Sequence, residues 1–332
     1  MNNRLSGLDG LRGIAALSVL GFHASGGNGN GFLAVDLFFM LSGYVMARTF
    51  EGRLGHGLTA FGFMKKRYAR LWPTLAICGL LAAPLFLRQF GIEAWPFVVA
   101  NLLLIPTMRV NRIYPLNGPT WSILLELIAN ALHGIVLHRM SRRSLAMVAA
   151  VALACFAALS GMAGTTNLGP TPDLFIAGIP RLIFSYSTGI LLFRCWQDRP
   201  PININPWLTY LLMPAVFVTS EITGVHPWGL DLLFVAVGCP LMMAGALRPI
   251  RFEREARWLG SISFPLYAVH TPIFGYAELL GLNRGVTGVA SILAAAGLAK
   301  LLDRRSTGAL PMTSLSDGVS PDAPSAVATQ MA

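Results

Sequence analysis

Hydrophobic and polar positions along this chain form long apolar runs that alternate with short basic or glycine-rich connections. A helix needs about 20 predominantly apolar residues to cross a bilayer. Runs of about that length lie near residues 8–26, 31–50, 68–88, 118–138, 144–162, 174–194, 206–220, 228–247, 258–280 and 286–302. The pattern therefore predicts an all-α polytopic membrane helix bundle with about ten transmembrane helices.

A shorter apolar run at 94–107 departs from this pattern. The basic loops decide how to interpret it, because cytoplasmic loops carry the excess of Lys and Arg. If 94–107 crossed fully, every later basic loop would lie outside. A re-entrant segment near 94–119 instead places all of them inside, together with both termini and Arg4. Irregular backbone at membrane depth needs protein or water around it, so this segment is expected to line a cavity.

Composition supports a membrane protein and excludes several other classes. The chain is 54% hydrophobic and only 12% charged, with a mean hydropathy of +0.60. The net charge of +10 is explained by orientation in the membrane, and nucleic-acid binding is not expected. The four cysteines lie singly, and the histidines lack metal-ligand spacing, so neither a disulfide framework nor a metal site is expected.

The end of the chain differs in composition from the rest. The segment 306–332 is rich in Ser, Pro, Ala, Thr and Gly and is expected to be disordered. Residues 1–305 then form one transmembrane domain.

Ionisable residues line one edge of the first predicted helix. Arg12 and His23 are eleven residues apart, so they return to within about 20° of one face, roughly 16 Å apart along the axis. Asp9 lies one turn before Arg12. Charged groups are expensive in lipid and usually face a bundle interior or a wet cavity, which favours a functional site. The alternative is a structural Asp–Arg pair with one buried histidine.

Two further segments carry charge near or inside apolar helices. Asp36 lies about two turns inside the second helix, where the alternative to a functional role is a capping or interhelical hydrogen bond. Arg67 and Arg70 are three residues apart and would share a helical face. Their guanidinium forks suit phosphate oxygens, as in a nucleotide-like donor. The alternative is an anchor at the lipid headgroups.

The helix that starts near Trp121 carries another intramembrane carboxylate. Ser122 and Glu126 are four residues apart and share one face. In the predicted topology these residues lie in the outer half of the membrane, at the depth of His23. Glu126 is a functional candidate; the alternative is a structural partner for a buried arginine such as Arg181.

The last histidine of interest, His270, lies in mid-span between Tyr267 and Pro272. Its apolar surroundings favour a hydrogen-bonded core residue over a ligand. Two interpretations of the whole chain remain besides an enzyme. One is a transporter or flippase for a glycan precursor, and the other is a structural or assembly protein of the membrane.

Together these segments resemble the integral membrane acyltransferase family 3, the bacterial O-acetyltransferases of O-antigen, exopolysaccharide and nodulation factor. The resemblance runs from Leu8 to about Phe274 and is to the stand-alone form of the family. The end of the last helix departs from the family pattern. The motifs that carry the resemblance are Arg12 to His23 after LDGLRG, the helix from Val35 to Tyr44, Arg67 with Arg70, Trp121 with Ser122 and Glu126, and Ser263 with Tyr267 and His270.

The resemblance implies acyl transfer in the bacterial inner membrane. Cytoplasmic acyl-CoA, usually acetyl-CoA, would be the donor substrate, with no permanently bound cofactor. The acceptor would be a hydroxyl of a cell-surface saccharide or glycolipid, and a separate periplasmic partner is left open.

The resemblance also implies roles for single residues. His23 would act as general base or as transient acyl carrier. Arg67 and Arg70 would hold CoA phosphates, while Arg12, fixed by Asp9, would steady the pantetheine or an oxyanion. Glu126 would orient an acceptor hydroxyl or His23. The residues expected to bind substrate or to be structural are Asp36, Trp121, Ser122, Tyr267 and His270.

Overall fold

The computed structural model describes residues 5–108, 111–224 and 227–308, with side chains as far as residue 303. Within these residues the chain is helical and contains no strand, as predicted. Arg4 and the segment 309–332 lie outside the described residues. The helices are α1 (Ser6–Ala24), α2 (Ala34–Gly55), α3 (Ala60–Phe90), α4 (Trp95–Leu102), α5 (Thr120–Ile135), α6 (Arg142–Ala163), α7 (Pro172–Phe175), α8 (Gly178–Trp196), α9 (Pro206–Thr223), α10 (Trp228–Leu233), α11 (Cys239–Ala246), α12 (Glu253–Leu279) and α13 (Arg284–Gly308).

Six helical spans in the described chain are long and apolar enough to cross a membrane: Gly31–Gly55, Ala60–Phe90, Arg142–Ala163, Pro172–Trp196, Trp228–Ala246 and Arg284–Asp303. The span Trp228–Ala246 joins α10 to α11 through a π-helical turn at Phe234–Gly238. The prediction of a polytopic helical membrane protein is confirmed. Ten crossings stay a prediction, because α1, α9 and α12 fall outside these six spans and α5 has only 16 residues.

The long helices run between two ends of the bundle. At the end where α1 and α12 begin, the Ser6 hydroxyl lies 3.4 Å from a Glu253 carboxylate oxygen. We call this end the arginine-rich face, and we call the end where α1 and α12 finish the histidine face. The basic side chains at the arginine-rich face include Arg48, Arg53, Lys65, Lys66, Arg139, Arg142, Arg143, Arg194, Arg199, Arg248, Arg251, Arg254 and Arg257.

An enclosed ion pair joins α2 to α8. Arg181 Nη2 lies 2.6 Å from Asp36 Oδ2, and both side chains are fully buried. The helices approach closely because Gly43 packs against the backbone of Tyr186, and Gly189 packs against the backbone of Met40. A β-carbon on either glycine would overlap a carbonyl of the facing helix. Asp36 therefore makes an interhelical bond, and Arg181 is its partner instead of the partner of Glu126.

The segment after α3 turns back along α3. Its helix, α4, has only eight residues, about 12 Å of rise. Asn101 and Leu102 lie against Gly79, which is roughly 16 Å along α3 from its end at Phe90. The Trp72 indole N–H donates to the Leu102 carbonyl at 2.9 Å. The described residues 103–108 and 111–119 contain no regular helix and lead back to Thr120, as expected of a re-entrant segment.

Two boundaries differ from the sequence prediction. The helix α3 begins at Ala60, where Thr59 caps it by accepting a hydrogen bond from the Gly62 amide at 3.1 Å. The helix therefore begins eight residues before the apolar run at 68–88, and Arg67 and Arg70 both lie within it, as their predicted common face requires. The helix α13 continues to Gly308, so the backbone of 306–308 is helical where disorder was expected. No proline interrupts the sequence there before Pro311.

Candidate active site

Close packing of α1 and α12 sets two histidines side by side. The helices run parallel, with Gly13 facing Leu259 and Gly260 facing Asp9. A β-carbon on Gly260 would lie 2.6 Å from the Asp9 β-carbon, so only glycine permits this separation. The ring centroids of His23 and His270 consequently lie 4.8 Å apart, with an angle of 34° between the rings.

The two rings have different surroundings. His270 is 1% exposed, and its Nδ1–H donates to the Leu266 carbonyl at 3.1 Å. The Thr271 hydroxyl lies 3.4 Å from Nε2 and can donate to it. His23 is exposed at the end of α1. One imidazole is therefore held in the core, and the other is accessible from the histidine face while packed against the first.

A pair of hydroxyls lies one turn below His270. The Tyr267 hydroxyl is 2.6 Å from Ser122 Oγ, and the Ser122 hydroxyl donates to the Pro119 carbonyl at 3.0 Å. This ties α12 to the start of α5. Trp121 points elsewhere, and its ring lies 5.9 Å from the Arg181 guanidinium. Ser122 and Tyr267 thus join the histidines, whereas Trp121 packs against the enclosed pair of α2 and α8.

Glu126 forms the next polar group toward the arginine-rich face. Its Oε1 accepts from the Ser42 hydroxyl at 2.7 Å and from Arg67 Nη2 at 2.8 Å. Arg67 is 6% exposed, so its guanidinium is enclosed and engaged. Glu126 makes no hydrogen bond to His23 within the described chain, and it does not lie at the depth of His23. The structure places it with the arginines, because α5 descends from Ser122 toward the arginine-rich face.

Further charges surround this pair. Arg70 is exposed and lies within electrostatic range of Arg12, Asp9, Arg67 and Glu126. The predicted site residues of α1, α3 and α5 are therefore brought together. His23 lies eleven residues beyond Arg12 in an unbroken helix, about 16 Å further along. Charged and polar groups thus extend from this cluster through Glu126 and the two hydroxyls to the histidines.

Arg112, in the segment between α4 and α5, is a further candidate that was not predicted from the sequence. Its charge acts on His23, and its Nη1 lies 3.7 Å from the position that a β-carbon on Gly118 would take. A usable signal was present, since an arginine in a segment expected to line a cavity contradicts the rule that the outer side carries few basic residues.

Within the described residues, no group of three His, Cys, Asp or Glu side chains gathers as metal ligands would.

Comparison with known proteins extends these observations. A family model described as an acyltransferase domain, of acyltransferase family 3, matches residues 5–300. A "Protein 2 in picA locus" of Rhizobium radiobacter is 34% identical over 150 residues, which are 38% of this chain and 78% of that protein. No solved structure matches the chain.

Two longer relatives match over most of this chain. A "Putative peptidoglycan O-acetyltransferase" of Bacillus subtilis (strain 168) is 26% identical over 81% of this chain and 48% of its own length. A "Peptidoglycan O-acetyltransferase" of Listeria monocytogenes is 24% identical over 80% of this chain and 49% of its own length. The chain therefore spans about half the length of these two relatives.

Proposed function

The chain belongs to acyltransferase family 3, and on that premise we propose that it moves an acyl group, of which acetyl is our candidate, from acyl-CoA to a saccharide hydroxyl. The arginine-rich face would lie in the cytoplasm of a bacterium, with both ends of the transmembrane domain on that side. The histidine face would lie outside the inner membrane. The basic side chains gathered at one face support this orientation.

The donor would enter at the arginine-rich face. Arg70 is exposed beside Arg12, so these guanidinium groups would bind the phosphates of CoA. Arg67 is bound to Glu126, and its role would be to position the cluster rather than to contact phosphate. The pantetheine arm would extend along α1 toward the histidine face. The distance of about 16 Å from Arg12 to His23 is one that an extended arm can bridge.

The acyl transfer would take place at His23. A hydroxyl is a poor nucleophile at neutral pH and needs a positioned base. As a base, His23 would accept the hydroxyl proton while the oxygen forms a bond to the thioester carbon. The carbon–sulfur bond would then break, and the proton would pass to the leaving thiolate. As an acyl carrier, His23 would first take the acyl group from sulfur and then pass it to the acceptor oxygen.

The observation that carries this proposal is the arrangement of the two rings. An accessible imidazole packs 4.8 Å from a buried one, at the end of a polar series that begins with arginines. His270 would hold the His23 ring, and its own Nδ1–H is already committed to Leu266. The names of the longer relatives support a cell-wall saccharide as the class of acceptor.

CoA release tests the proposal. Full-length protein in membranes that contain acceptor glycans should free CoA from acetyl-CoA. His23→Ala should lower this rate roughly 10²- to 10⁴-fold, the usual contribution of a general base. His56→Ala is the matched control, because His56 is exposed on the opposite face and should leave the rate unchanged. Undiminished CoA release by His23→Ala would overturn the assignment.

The same assay separates the remaining alternatives. Labelled acetyl-CoA without acceptor should label the wild-type protein only if His23 carries the acyl group. Transport of a glycan across the membrane without CoA release would favour the transporter.

A further inference from the structure

Two arginines flank the accessible histidine on the histidine face. Arg112 Nη1 lies 3.7 Å from the position that a β-carbon on Gly118 would take, and Gly118 follows Asn117, whose side chain bonds to α12 two residues before His270. Arg284 Nη2 lies 3.4 Å from the position that a β-carbon on Gly26 would occupy, and Gly26 follows His23 by three residues. Both arginines are exposed. Two positive charges therefore lie at the end where the acceptor would arrive, and the Glu221 carboxylate lies on the same face, 3.2 Å from the position that a β-carbon on Gly29 would take.

These two guanidinium groups differ from the arginines inside the bundle. Arg181 is paired with Asp36, Arg67 with Glu126 and Arg194 with Glu51. Neither Arg112 nor Arg284 forms an ion pair with a carboxylate of the described chain. Their positive charges are consequently available to an anionic ligand.

The segment that carries Arg112 is fixed to the rest of the site. The Thr107 amide and hydroxyl both donate to the Ile113 carbonyl, at 3.0 and 2.8 Å. The Asn117 side-chain amide donates to the Ala268 carbonyl at 3.0 Å, two residues before His270. Ile113 and Asn117, which follow Arg112 in the chain, are therefore held by hydrogen bonds, and the bond of Asn117 is to the helix that carries His270.

Their location on this face also needs a reason. Basic residues are disfavoured on the outer side of a membrane protein, and here they concentrate on the opposite face. A planar guanidinium presents two parallel N–H groups, which match the two oxygens of a carboxylate or phosphate. Two such groups beside one reactive side chain are suited to orienting an anionic substrate.

We propose that Arg112 and Arg284 bind a carboxylate or phosphate on the acceptor, so that the enzyme selects acidic saccharides. This inference rests on the proposed function, since it assigns the acceptor class for transfer at His23. The anionic group would lie near the two guanidinium groups and hold the acceptor hydroxyl toward His23. The lipid bilayer offers phosphate headgroups as a second source of the same chemistry, which the experiment must separate.

The test uses a matched pair of probes, a tetrasaccharide that contains glucuronic acid and the same tetrasaccharide with its carboxyl groups reduced to alcohols. Binding of each is measured to full-length His23→Ala protein in nanodiscs of phosphatidylcholine, where no turnover occurs. The acidic probe should bind roughly tenfold or more tightly, as expected for a charge-assisted bidentate contact. The paired substitution Arg112→Gln with Arg284→Gln should remove this preference and leave binding of the reduced probe unchanged.

Controls identify the source of any effect. Arg88→Gln removes another exposed arginine near the end of α3 and should not change the preference. Nanodiscs with phosphatidylglycerol should leave the difference between the probes in place. Equal binding of both probes, binding of neither, or a preference that anionic lipid abolishes would overturn the inference. CoA release that depends on His23 would still stand in each of these cases, so the two proposals fail separately.

Discussion

Two carboxylate–arginine pairs lie inside the same helix bundle and differ in how completely the protein surrounds them. Asp36 and Arg181 are 0% exposed, and the carboxylate also accepts from the Ser185 hydroxyl. Glu126 and Arg67 keep 17% and 7% of their side-chain surface exposed. The Arg67 and Ser42 bonds to Glu126 both end on Oε1.

This difference separates a structural pair from one that can take part in binding. The enclosed pair has both carboxylate oxygens engaged and ties α2 to α8, so it has no capacity for a ligand. Glu126 and Arg67 form the more open pair. It lies among Arg70, Arg12 and Asp9, where a donor with phosphates could be held. An ion pair in a membrane helix is thus not evidence of function until its surroundings are known.

The largest effect is expected from breaking the enclosed pair. Arg181→Met leaves the Asp36 carboxylate buried without a counter-charge, which should cost about 3–5 kcal/mol of stability. Thermal unfolding of the purified protein in detergent measures this loss. The paired substitution Asp36→Leu with Arg181→Met removes both charges and should recover most of the stability and the CoA release. A stable but inactive double variant would show that this pair contributes directly to activity.

The pair of Glu126 and Arg67 should matter more for activity than for stability. Glu126→Gln removes the charge that positions Arg67 and its neighbours, and a small misplacement can lower activity about 10²-fold. Its melting temperature should fall less than that of Arg181→Met, because the pair is already partly exposed. Glu51→Gln is the control, since Glu51 has nearly the same exposed fraction, 18%, but pairs with Arg194 instead of Arg67. If Glu126→Gln and Glu51→Gln lost CoA release equally, Glu126 would have no special role in activity.

The packing of α1 on α12 is expected to matter next. Gly260→Ala places a methyl group 2.6 Å from the Asp9 β-carbon, and such overpacking costs about 1–3 kcal/mol. The separation of the helices should lower CoA release together with the melting temperature. Gly288→Ala in α13 meets open space and should lower neither. Full activity in Gly260→Ala would mean that the His23–His270 contact is not needed.

Single hydroxyls should give the smallest effects. Ser42→Ala and Ser185→Ala each remove one bond to a carboxylate, worth about 1 kcal/mol. Ser42→Ala should raise the KM for acetyl-CoA with little change in melting temperature. Ser185→Ala should change the melting temperature alone. A higher KM in Ser185→Ala together with a changed melting temperature in Ser42→Ala would contradict the comparison of the two ion pairs.

Regular helices made part of this account predictable. The common face of Asp9, Arg12 and His23 follows from helical geometry alone, and the helix bounds agree with the apolar runs to within a few residues for most of the chain. The distribution of basic residues over the loops also predicted that 94–107 does not cross the membrane fully, and α4 is accordingly short. These features depend on local periodicity and on orientation, which a single sequence records.

The partners of the charged groups could not be predicted in the same way. Two carboxylates, Asp36 and Glu126, and two arginines, Arg67 and Arg181, allow more than one pairing, and helix packing selects between them. His270 is the hydrogen-bonded core residue that the sequence predicts, but its neighbour could not be predicted for the same reason. Its contact with His23 depends on the close approach of α1 and α12, which is a tertiary feature.

The most direct test of the central claim is a structure of the full-length protein with a thioether analogue of acetyl-CoA bound. Its phosphates are expected beside Arg12 and Arg70, with the sulfur and the adjoining carbon within contact distance of the His23 ring. An analogue whose reactive end lies elsewhere in the bundle, with the His23 ring free of it, would contradict the account.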